Sequence, residues 1–388
     1  MRYDFDAPID RAGSDSEKWA KYAGRDILPL WVADMDFAAP PAVIAALQAR
    51  LTHGVFGYNQ PTAGQTRAVV DYLARCFDWA VDPDWIVWLP GLVSGLNVAC
   101  RAVGAVGDGD DAVCTATPIY PPFLFAPRHA ARRLHSVPLV LEQEQRQDAP
   151  RWRFDFAALD AAFAQSRLFL FCHPHNPVGR AWDDDELNQI AQLAERHDVI
   201  VCADEIHNGL ILAPSRRHRV FAMLDAAVAR RTITLLAPSK TFNIPGLGAA
   251  CAVIADAALR QRFRAAMAGI VPHVNLFGMA ALEAAFSQCD DWHAALIDYL
   301  RGNAQAVGDA VARIPGLSMT PVEATYLAWI DAREFARQRG IANPAQYFES
   351  RGLGLSDGAA FAAPGFVRLN FGTRRALLDE ALARLARA

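Results

Sequence analysis

The chain has 388 residues, of which 53% are hydrophobic and 21% are charged, and its formal net charge at pH 7 is −4. This composition excludes an intrinsically disordered, collagen-like or disulfide-stapled small protein, and the length is sufficient for a large hydrophobic core. The slightly acidic balance gives no indication of nucleic acid or an anionic membrane surface as a partner.

The N-terminal residues and the cysteines indicate a cellular location. The first ten residues, MRYDFDAPID, contain acids and a proline, which argues against a signal peptide, and no apolar run approaches the roughly 20 residues of a membrane-spanning helix. The seven cysteines are odd in number and no two form a CxxC pair. We interpret them as reduced core residues of a cytoplasmic protein. We expect no metal site, and we interpret His173 and His175 as turn residues despite their ligand-like spacing.

Short apolar segments alternate with helical patterns through the middle of the chain. A helix is predicted near residues 41–50, and strands are predicted at residues 111–117, 167–172, 199–203, 232–237 and 249–254. Another helix begins at Asp183, where Glu186 completes a capping-box pattern and Leu187, Ile190 and Ala194 line one face. This alternation predicts an α/β sandwich in which helices cover both faces of a parallel or mixed sheet.

The C-terminal third has a different pattern. A long helix is predicted at residues 293–313, two strands at 325–330 and 366–371, and a final helix at 374–387. These elements indicate a smaller α+β domain. We expect a large domain at residues 48–290 and a small domain formed by residues 1–47 and 291–388. The sequence by itself does not decide which domain the extended, aromatic N-terminal segment packs against.

Lysine is scarce in this chain. Among the 38 basic residues only Lys18, Lys21 and Lys240 are lysines. Arginine and lysine serve equally well as surface charges, but only lysine can lose its proton and form a Schiff base. Lys18 and Lys21 lie in a polar stretch, and we interpret them as ordinary surface charges. Lys240 follows an apolar strand, where a solvated charge is not expected, and is therefore the candidate functional amine.

Four segments with polar or glycine residues lie at predicted strand ends. Residues 90–97, PGLVSGLN, form a glycine turn that leads into a helix, and such a turn suits a phosphate, although many bind nothing. Asn176 precedes a proline in a constrained turn. Asp204 ends an apolar strand, where it either meets a cationic partner or caps a helix. Lys240 is in the fourth segment.

Together these four segments are more specific than any one of them, because the carboxyl ends of parallel strands meet at one edge of a sheet. Pyridoxal 5'-phosphate requires an amine for its aldehyde and an anion for its ring nitrogen. It also requires a donor for its phenolic oxygen and a turn that holds its phosphate. Lys240, Asp204, Asn176 and the glycine turn supply these four groups. The sequence therefore predicts a pyridoxal-phosphate site.

Seven segments spread along the chain carry a family resemblance: LWVADMDF (30–37), HGVFGY (53–58), PIYPPF (118–123), PHNPVGR (174–180), DEIH (204–207), SKTFN (239–243) and FVRLN (366–370). With them the chain resembles the fold-type I pyridoxal-phosphate enzymes of aminotransferase class I/II. The first two segments narrow the resemblance to the MalY/PatB-type cystathionine β-lyases. The resemblance implies a large α/β/α domain around a mostly parallel mixed sheet, a smaller α+β domain and a homodimer.

The resemblance also implies roles toward the cofactor. Lys240 forms the covalent link to the aldehyde and later moves the Cα proton of the substrate, and Asp204 pairs with the pyridine nitrogen. The other implied contacts are Asn176 and His207 at the phenolic oxygen, Tyr120 stacked on the ring, and Leu92, Val93 and Ser239 at the phosphate. In the wider superfamily a tyrosine occupies the position of His207.

For the substrate, the resemblance implies that Arg368 takes the α-carboxylate by a two-point contact and that Ala33 lies against the substrate. Tyr58 is expected to reach the phosphate of the cofactor bound to the neighbouring subunit. From the residues alone, Arg368 could instead be a surface charge, Tyr58 a core aromatic residue and Tyr120 a residue that stiffens its loop.

The implied activity is that of a β-lyase, which converts L-cystathionine or a related cysteine S-conjugate to a thiol, pyruvate and ammonia. A class I/II aminotransferase shares the early steps and is the alternative, and a cofactor-bound regulatory interaction module stays open as a third hypothesis. Lys240 and Tyr58 are the candidates for protonating the departing sulfur. Tyr326 and residues 271–275 could line the side-chain pocket or belong to the core.

Overall fold

The computed structural model describes residues 3–104, 111–142 and 150–388. The strands within these residues are, in chain order, β1 (Leu28–Pro29), β2 (Ile86–Leu89), β3 (Ala112–Thr117), β4 (Leu134–Pro138), β5 (Val140–Glu142), β6 (Arg151–Arg153), β7 (Ser166–Cys172), β8 (Ile200–Asp204), β9 (Thr232–Leu236), β10 (Ala250–Val253), β11 (Ser318–Met319), β12 (Leu327–Asp331), β13 (Leu353–Gly354), β14 (Ser356–Asp357) and β15 (Phe366–Asn370).

The α-helices of the same residues are α1 (Glu17–Ala20), α2 (Pro41–His53), α3 (Ala63–Phe77), α4 (Leu92–Ala102), α5 (Pro122–His129), α6 (Phe156–Phe163), α7 (Asp184–Arg196), α8 (Ala226–Arg230), α9 (Ala257–Met267), α10 (Leu276–Gln288), α11 (Asp290–Ala312), α12 (Arg333–Arg339), α13 (Pro344–Ser350) and α14 (Arg375–Arg387).

A seven-stranded sheet forms the centre of the molecule, with the strand order β2-β10-β9-β8-β7-β3-β4. Strands β9, β8, β7, β3 and β4 run parallel, whereas β10 is antiparallel to both of its neighbours. The five strands predicted from the sequence are all in this sheet, and their ends agree to within a residue. The predicted α/β class with a mostly parallel mixed sheet is therefore confirmed.

Burial on both faces explains why these strands have almost uninterrupted apolar sequences. Every residue of β3 and β9 is buried, as expected for strands covered on two sides. Helices α4, α5 and α9 pack on one face of the sheet, and α6, α7 and α8 pack on the other. Helix α7 begins with the predicted capping box, because Asp183 accepts from the Glu186 N–H and Glu186 reaches back to the Asp183 N–H.

The C-terminal part forms a four-stranded antiparallel sheet, β11-β12-β15-β14. Strand β1 pairs in parallel with β13 through Leu28 and Leu353, so the N-terminal segment joins this part of the molecule. Which domain the whole N-terminal segment belongs to stays a prediction, because Met35 and Phe37 also bind Asn243 on the loop after β9. The division of the chain at residues 48 and 290 stays a prediction.

The cysteine prediction needs one correction. All seven cysteines are unpaired thiols, and six of them are buried, but Cys76 is exposed. It lies in the last turn of α3, beyond the buried positions Tyr72 and Leu73. None of the helices in the described parts of the chain combines the length and apolar character needed to cross a membrane.

Candidate active site

The predicted site residues meet at the carboxyl edge of the central sheet. Asp204 is the last residue of β8, and the strand register places it beside Cys172 of β7 and Leu235 of β9. Asn176 lies on the loop that follows β7, and Lys240 lies on the loop that follows β9. These loops leave the same edge because the strands are parallel, which is where ligands bind in sheets of this kind.

A cavity of about 740 Å³ opens at this edge. With one exception, the site residues predicted from the sequence line it; they are Ala33, Leu92, Val93, Tyr120, Asn176, Asp204, His207, Ser239, Lys240 and Arg368. The exception is Tyr58, whose side chain is fully exposed on the segment that follows α2. The structure therefore brings together every predicted site residue except Tyr58.

Lys240 presents its amine to this cavity. Its Nζ donates to the carbonyl oxygen of Ala33 at 2.5 Å. Loss of hydration, reinforced by the positive charge of Arg368, lowers the pKa of Lys240 to about 8, although Asp34 and Asp204 act in the opposite direction. An amine with such a pKa is partly neutral near physiological pH, which is the form that acts as a nucleophile or base.

Asp204 is a buried carboxylate with few partners. Its Oδ1 accepts the N–H of Ile206 at 3.1 Å, and only 5% of the residue is exposed. Burial raises the pKa of Asp204 to about 7, against the effects of the Ile206 hydrogen bond and the Lys240 charge. A cationic group placed against this carboxylate would restore its ionised form, because opposite charges favour ionisation.

Arg368 is the buried cation of the site, on β15. Its Nη1 donates to Asn176 Oδ1 at 3.0 Å, and its Nη2 donates to the Trp31 carbonyl at 2.9 Å and to Ser356 Oγ at 3.3 Å. Burial lowers the pKa of Arg368 to about 10, so it stays charged at neutral pH. Its guanidinium also lies 4.7 Å from the centroid of the Phe361 ring. The structure thus excludes the reading of Arg368 as a surface charge.

His207 and Tyr120 form further parts of the cavity wall. Burial lowers the pKa of His207 to about 3, and its Nδ1 has no hydrogen-bond partner among the described residues. The backbone N–H of Tyr120 donates to the carbonyl of Asn176 at 3.1 Å, so the two loops are tied together. A neutral histidine with an unpaired ring nitrogen can bind a polar ligand group in the cavity.

The first turn of α4 supplies a place for an anion. Gly91 precedes the helix and offers no side-chain cap, and Leu92 and Val93 of the first turn line the cavity together with Ser239. The initial N–H groups of an α-helix have no partner within the helix, and the positive end of the helix dipole lies there. These groups suit a phosphate.

Lys18 is not the surface charge that its polar neighbours suggested. The side chain has no exposed surface, and its Nζ lies 2.7 Å from Asp36 Oδ2 and 3.4 Å from the Asp34 carbonyl. Asp36 also accepts from Arg11 and from Trp19. The prediction was wrong because the acids that neutralise Lys18 lie far along the chain and come close only through folding.

Several cavity residues carry no motif and were not predicted. Lys21 is exposed, as expected, but it lies at the cavity together with Glu17 and Glu349. Ser356 of β14 and Phe361, which follows that strand, contact Arg368. A sequence signal for them would have required knowing that β14 pairs with β15.

The sequence left open whether Tyr326 and residues 271–275 line the side-chain pocket or belong to the core. Tyr326 is 1% exposed and lies behind the cavity wall, where its hydroxyl donates to the carbonyl of Ala33 at 2.8 Å. Residues 271–274 line a different cavity, next to Asn59. His173 and His175 are buried, and each has a ring nitrogen at a backbone carbonyl, that of Arg219 and that of Pro118.

The fold and the site define the class of protein. The sequence model of the aminotransferase class I and II family matches residues 25–385, so this chain belongs to that family, and the family resemblance inferred from the sequence is confirmed. The chain is 34% identical to cystathionine beta-lyase PatB of Bacillus subtilis (strain 168), over 99% of this chain and 99% of that protein.

Two solved structures are similar to this chain along its length. The structure of OvoB has a TM-score of 0.93 and 44% sequence identity, covering 99% of this chain and 98% of that one. Cystalysin from Treponema denticola, whose structure contains a pyridoxal 5'-phosphate cofactor, has a TM-score of 0.90 and 30% identity, covering 100% of this chain and 98% of that one.

The residues of the cavity fit a pyridoxal phosphate. Asp204 is buried without a cation at hydrogen-bond distance, and a protonated pyridine nitrogen would supply one. The buried Nδ1 of His207 has no hydrogen-bond partner within the described chain and could bind a polar atom of the cofactor. The uncapped start of α4 offers N–H groups to a phosphate. The amine of Lys240 completes a set with one group for each polar part of the cofactor.

Proposed function

We propose that this chain is a pyridoxal-phosphate-dependent carbon–sulfur β-lyase, which cleaves L-cystathionine or a related cysteine S-conjugate to a thiol, pyruvate and ammonia. With L-cystathionine the thiol is homocysteine. The observation that carries the proposal is the amine of Lys240, which shares one cavity with the buried carboxylate of Asp204 and the buried guanidinium of Arg368. Similarity over the full length to a protein named cystathionine beta-lyase supports a lyase over other activities of the family.

In this proposal each polar group of the cofactor has its own residue. Lys240 would hold the aldehyde carbon, and Asp204 would keep a proton on the ring nitrogen. The remaining contacts are those of Asn176 and His207 with the phenolic oxygen, of Tyr120 with the ring face, and of Ser239 and the N–H groups of Leu92 and Val93 with the phosphate. The cofactor, when bound, acts as an electron sink for the electron pair left on the substrate Cα.

Arg368 orients the substrate. A guanidinium presents two parallel N–H groups that match a carboxylate, and this contact fixes the position of the substrate Cα. The Nη1 and Nη2 of Arg368 now bind Asn176 and Trp31, and the substrate α-carboxylate takes a place in this set of contacts. Burial of the guanidinium strengthens the contact, because an ionic hydrogen bond is stronger where water is excluded.

Lys240 moves the protons. Its lowered pKa, about 8, leaves a part of the amine neutral near pH 7.5, and the neutral amine would remove the Cα proton of the substrate. The protonated amine then lies close to the bond that breaks, so it is our first candidate for protonating the departing sulfur. Tyr58 of a second subunit is the other candidate.

The proposal includes a homodimer with Tyr58 placed at the site of the neighbouring subunit. Leu51, Val55, Phe56 and Tyr58 form an exposed apolar segment at the end of α2 and just after it. An apolar segment of this kind is typical of a surface that another protein covers. A second copy of the chain would cover it and would supply the aromatic hydroxyl that one chain does not bring to the cavity.

We also propose a cytoplasmic location and the two-domain division at residues 48 and 290. The seven unpaired cysteines support a reducing compartment. The separate four-stranded sheet, to which the C-terminal third contributes every strand, supports the division.

The experiment is to mix the purified protein with L-cystathionine without any keto acid and to follow pyruvate and free thiol. Equal amounts of the two products are expected, and a Lys240→Ala variant prepared in parallel should form neither. The family also contains aminotransferases, and the name of the matching family favours that second candidate. Turnover that occurs only after a keto acid is added would establish the aminotransferase and refute the lyase.

A further inference from the structure

The cavity extends beyond the residues assigned to the cofactor and to the substrate α-carboxylate. Its outer wall includes Glu17 of α1, Lys21, Glu349 of α13 and Asp357. The wall therefore carries both positive and negative side chains around the space that the sulfur-linked half of a substrate would occupy. Some of these charges have partners within the chain, and others remain available to a ligand.

Two of the acids are occupied. Glu349 accepts from the hydroxyl of Tyr22 at 3.1 Å and forms an ion pair with Arg25 at 3.0 Å. Asp357 accepts from Asn343 Nδ2 at 2.8 Å and caps the short turn that follows it. These two carboxylates therefore hold the wall together and have less capacity for a ligand.

Lys21 and Glu17 are available. The Nζ of Lys21 lies over two aromatic rings, 4.6 Å from the centroid of Trp31 and 4.9 Å from that of Tyr22, and in the described parts of the chain it forms no salt bridge. Glu17 likewise forms no side-chain hydrogen bond or ion pair with any residue that the structure describes. Aromatic rings position a cation without neutralising it, so Lys21 keeps its capacity for an anion.

Contacts through Trp31 connect Lys21 to Arg368, and Glu17 lines the same cavity as Tyr120. The carbonyl of Trp31 accepts from Arg368 Nη2 at 2.9 Å, while its ring supports Lys21. Burial raises the pKa of the Tyr120 hydroxyl, the charge of Arg368 opposes this, and the charges of Asp204 and, least of all, Glu17 add to it. Arg368, Lys21 and Glu17 line one cavity, so a substrate whose α-carboxylate binds Arg368 shares that cavity with both charged side chains.

We propose that Lys21 and Glu17 determine substrate specificity by binding the charged end of the departing thiol. Lys21 binds a carboxylate of the thiol, and Glu17 binds an ammonium group of the thiol. The preferred substrates are then cysteine S-conjugates whose thiol half carries an amino-acid head group, as the homocysteine half of L-cystathionine does. This inference rests on the proposed lyase function and adds the substrate class and the residues that select it.

The test uses three cysteine conjugates that differ only at the far end: S-(2-carboxyethyl)-L-cysteine, S-(2-aminoethyl)-L-cysteine and S-propyl-L-cysteine. The kcat/KM for pyruvate release by the holoenzyme is measured for each, and the neutral conjugate is the reference. Lys21→Met should lower the ratio of carboxyethyl to propyl about fivefold, the size expected of a solvent-accessible ion pair. Glu17→Gln should lower the ratio of aminoethyl to propyl by a similar factor.

Two variants serve as controls. Lys21→Arg keeps the positive charge and should keep most of the preference for the carboxyethyl conjugate. Arg217→Met removes a cation whose side chain is 83% exposed and does not line the cavity. This second variant should leave both ratios unchanged. High salt should reduce the preferences of the unmodified enzyme, because solvent-accessible ion pairs are screened.

The results separate this inference from the proposed function. If the unmodified enzyme releases pyruvate from S-propyl-L-cysteine but Lys21→Met lowers kcat/KM by one common factor for all three conjugates, the residue merely positions the wall and the inference is overturned. If no conjugate yields pyruvate, the lyase proposal itself fails. Selective loss with the conjugate of opposite charge supports the inference.

Discussion

Lys18 Nζ lies 2.7 Å from Asp36 Oδ2, and the lysine side chain has no exposed surface. This ion pair joins α1 to the segment of residues 31–36, which forms part of the cavity wall through Trp31, Val32 and Ala33. Burial of a charge is unfavourable without a partner, so each member of such a pair depends on the other.

We expect Lys18→Met to destabilise the protein by about 3 kcal/mol, since it leaves Asp36 with Arg11 and Trp19 as its remaining partners. The measurement is the midpoint of urea unfolding of the holoenzyme. Lys21→Met removes an exposed lysine three residues away and should shift the midpoint little. Equal midpoints for the two variants would contradict a stabilising role of the buried pair.

Arg368→Lys should lower kcat/KM for L-cystathionine about 30-fold or more, mainly through KM. A lysine cannot form the two-point contact with a carboxylate, and truncating a buried charge pair has effects of this size. Retention of the visible absorption of the bound cofactor would show that the site is otherwise intact. Arg337→Lys, on the exposed face of α12, is the matched control, and an equal loss in both variants would refute the assignment.

Lys240→Ala should abolish the covalent attachment of the cofactor and lower turnover about 1000-fold or more, as expected for the loss of a general base and nucleophile. Borohydride reduction followed by mass spectrometry checks the attachment directly, because it fixes the cofactor on its lysine. Lys21→Ala removes the other lysine of the cavity and should retain the labelled mass. A label on Lys21, or on Lys240→Ala protein, would contradict the assignment.

The contribution of Asp204 to the stability of the cofactor-free protein should fall as the pH rises from about 4 to 7. Burial raises the pKa of Asp204 to about 7, so the folded state binds a proton that the unfolded state has already released in this range. The effect is about 4 kcal/mol at most. Asp204→Asn should therefore melt higher than the unmodified apoprotein at pH 8 and at the same temperature at pH 4. A pH-independent difference would indicate another cause.

Tyr58 offers a test of the proposed dimer by mixing two impaired variants. Lys240→Ala and Tyr58→Phe should each have low activity, but a mixed dimer has one site with its own Lys240 and with Tyr58 of the partner. Co-refolding equal amounts should therefore restore up to about a quarter of the unmodified activity, if half of the dimers are mixed and each has one intact site of two. No gain over the separate variants, or a monomer in sedimentation, would refute the shared site.

The central strands were predictable because both-face burial requires runs of apolar residues, and such runs are visible in a sequence. Strand β2 was missed since four apolar residues are too few to separate a strand from a buried turn of helix. Strand β4 was missed for a different reason: it lies at the edge of the sheet, and its sequence, LHSVP, has only Val137 buried.

The inner part of the site was predictable from strand ends, whereas the outer part was not. Asp204 and Lys240 follow apolar strands directly, and parallel strands bring their ends together. Lys18 and Lys21 share one polar stretch, yet one is enclosed by acids and the other stands over aromatic rings. The residues next to each lysine in the sequence do not show which distant side chains it will contact. The different environments of the two lysines are therefore seen only in the folded chain.

The contacts of Arg368 have a consequence for selectivity. Both terminal nitrogens of the guanidinium already bind oxygen atoms of the protein, at Asn176 and at Trp31. The guanidinium has five N–H donors, these two bonds and the bond to Ser356 use three of them, and the Nε–H has no partner in the parts of the chain that the structure describes, so an anion can bind without breaking the contacts with the chain. A planar carboxylate accepts two parallel N–H bonds from a guanidinium, a geometric match that a spherical ion such as chloride lacks, so Arg368 favours carboxylates over small spherical anions.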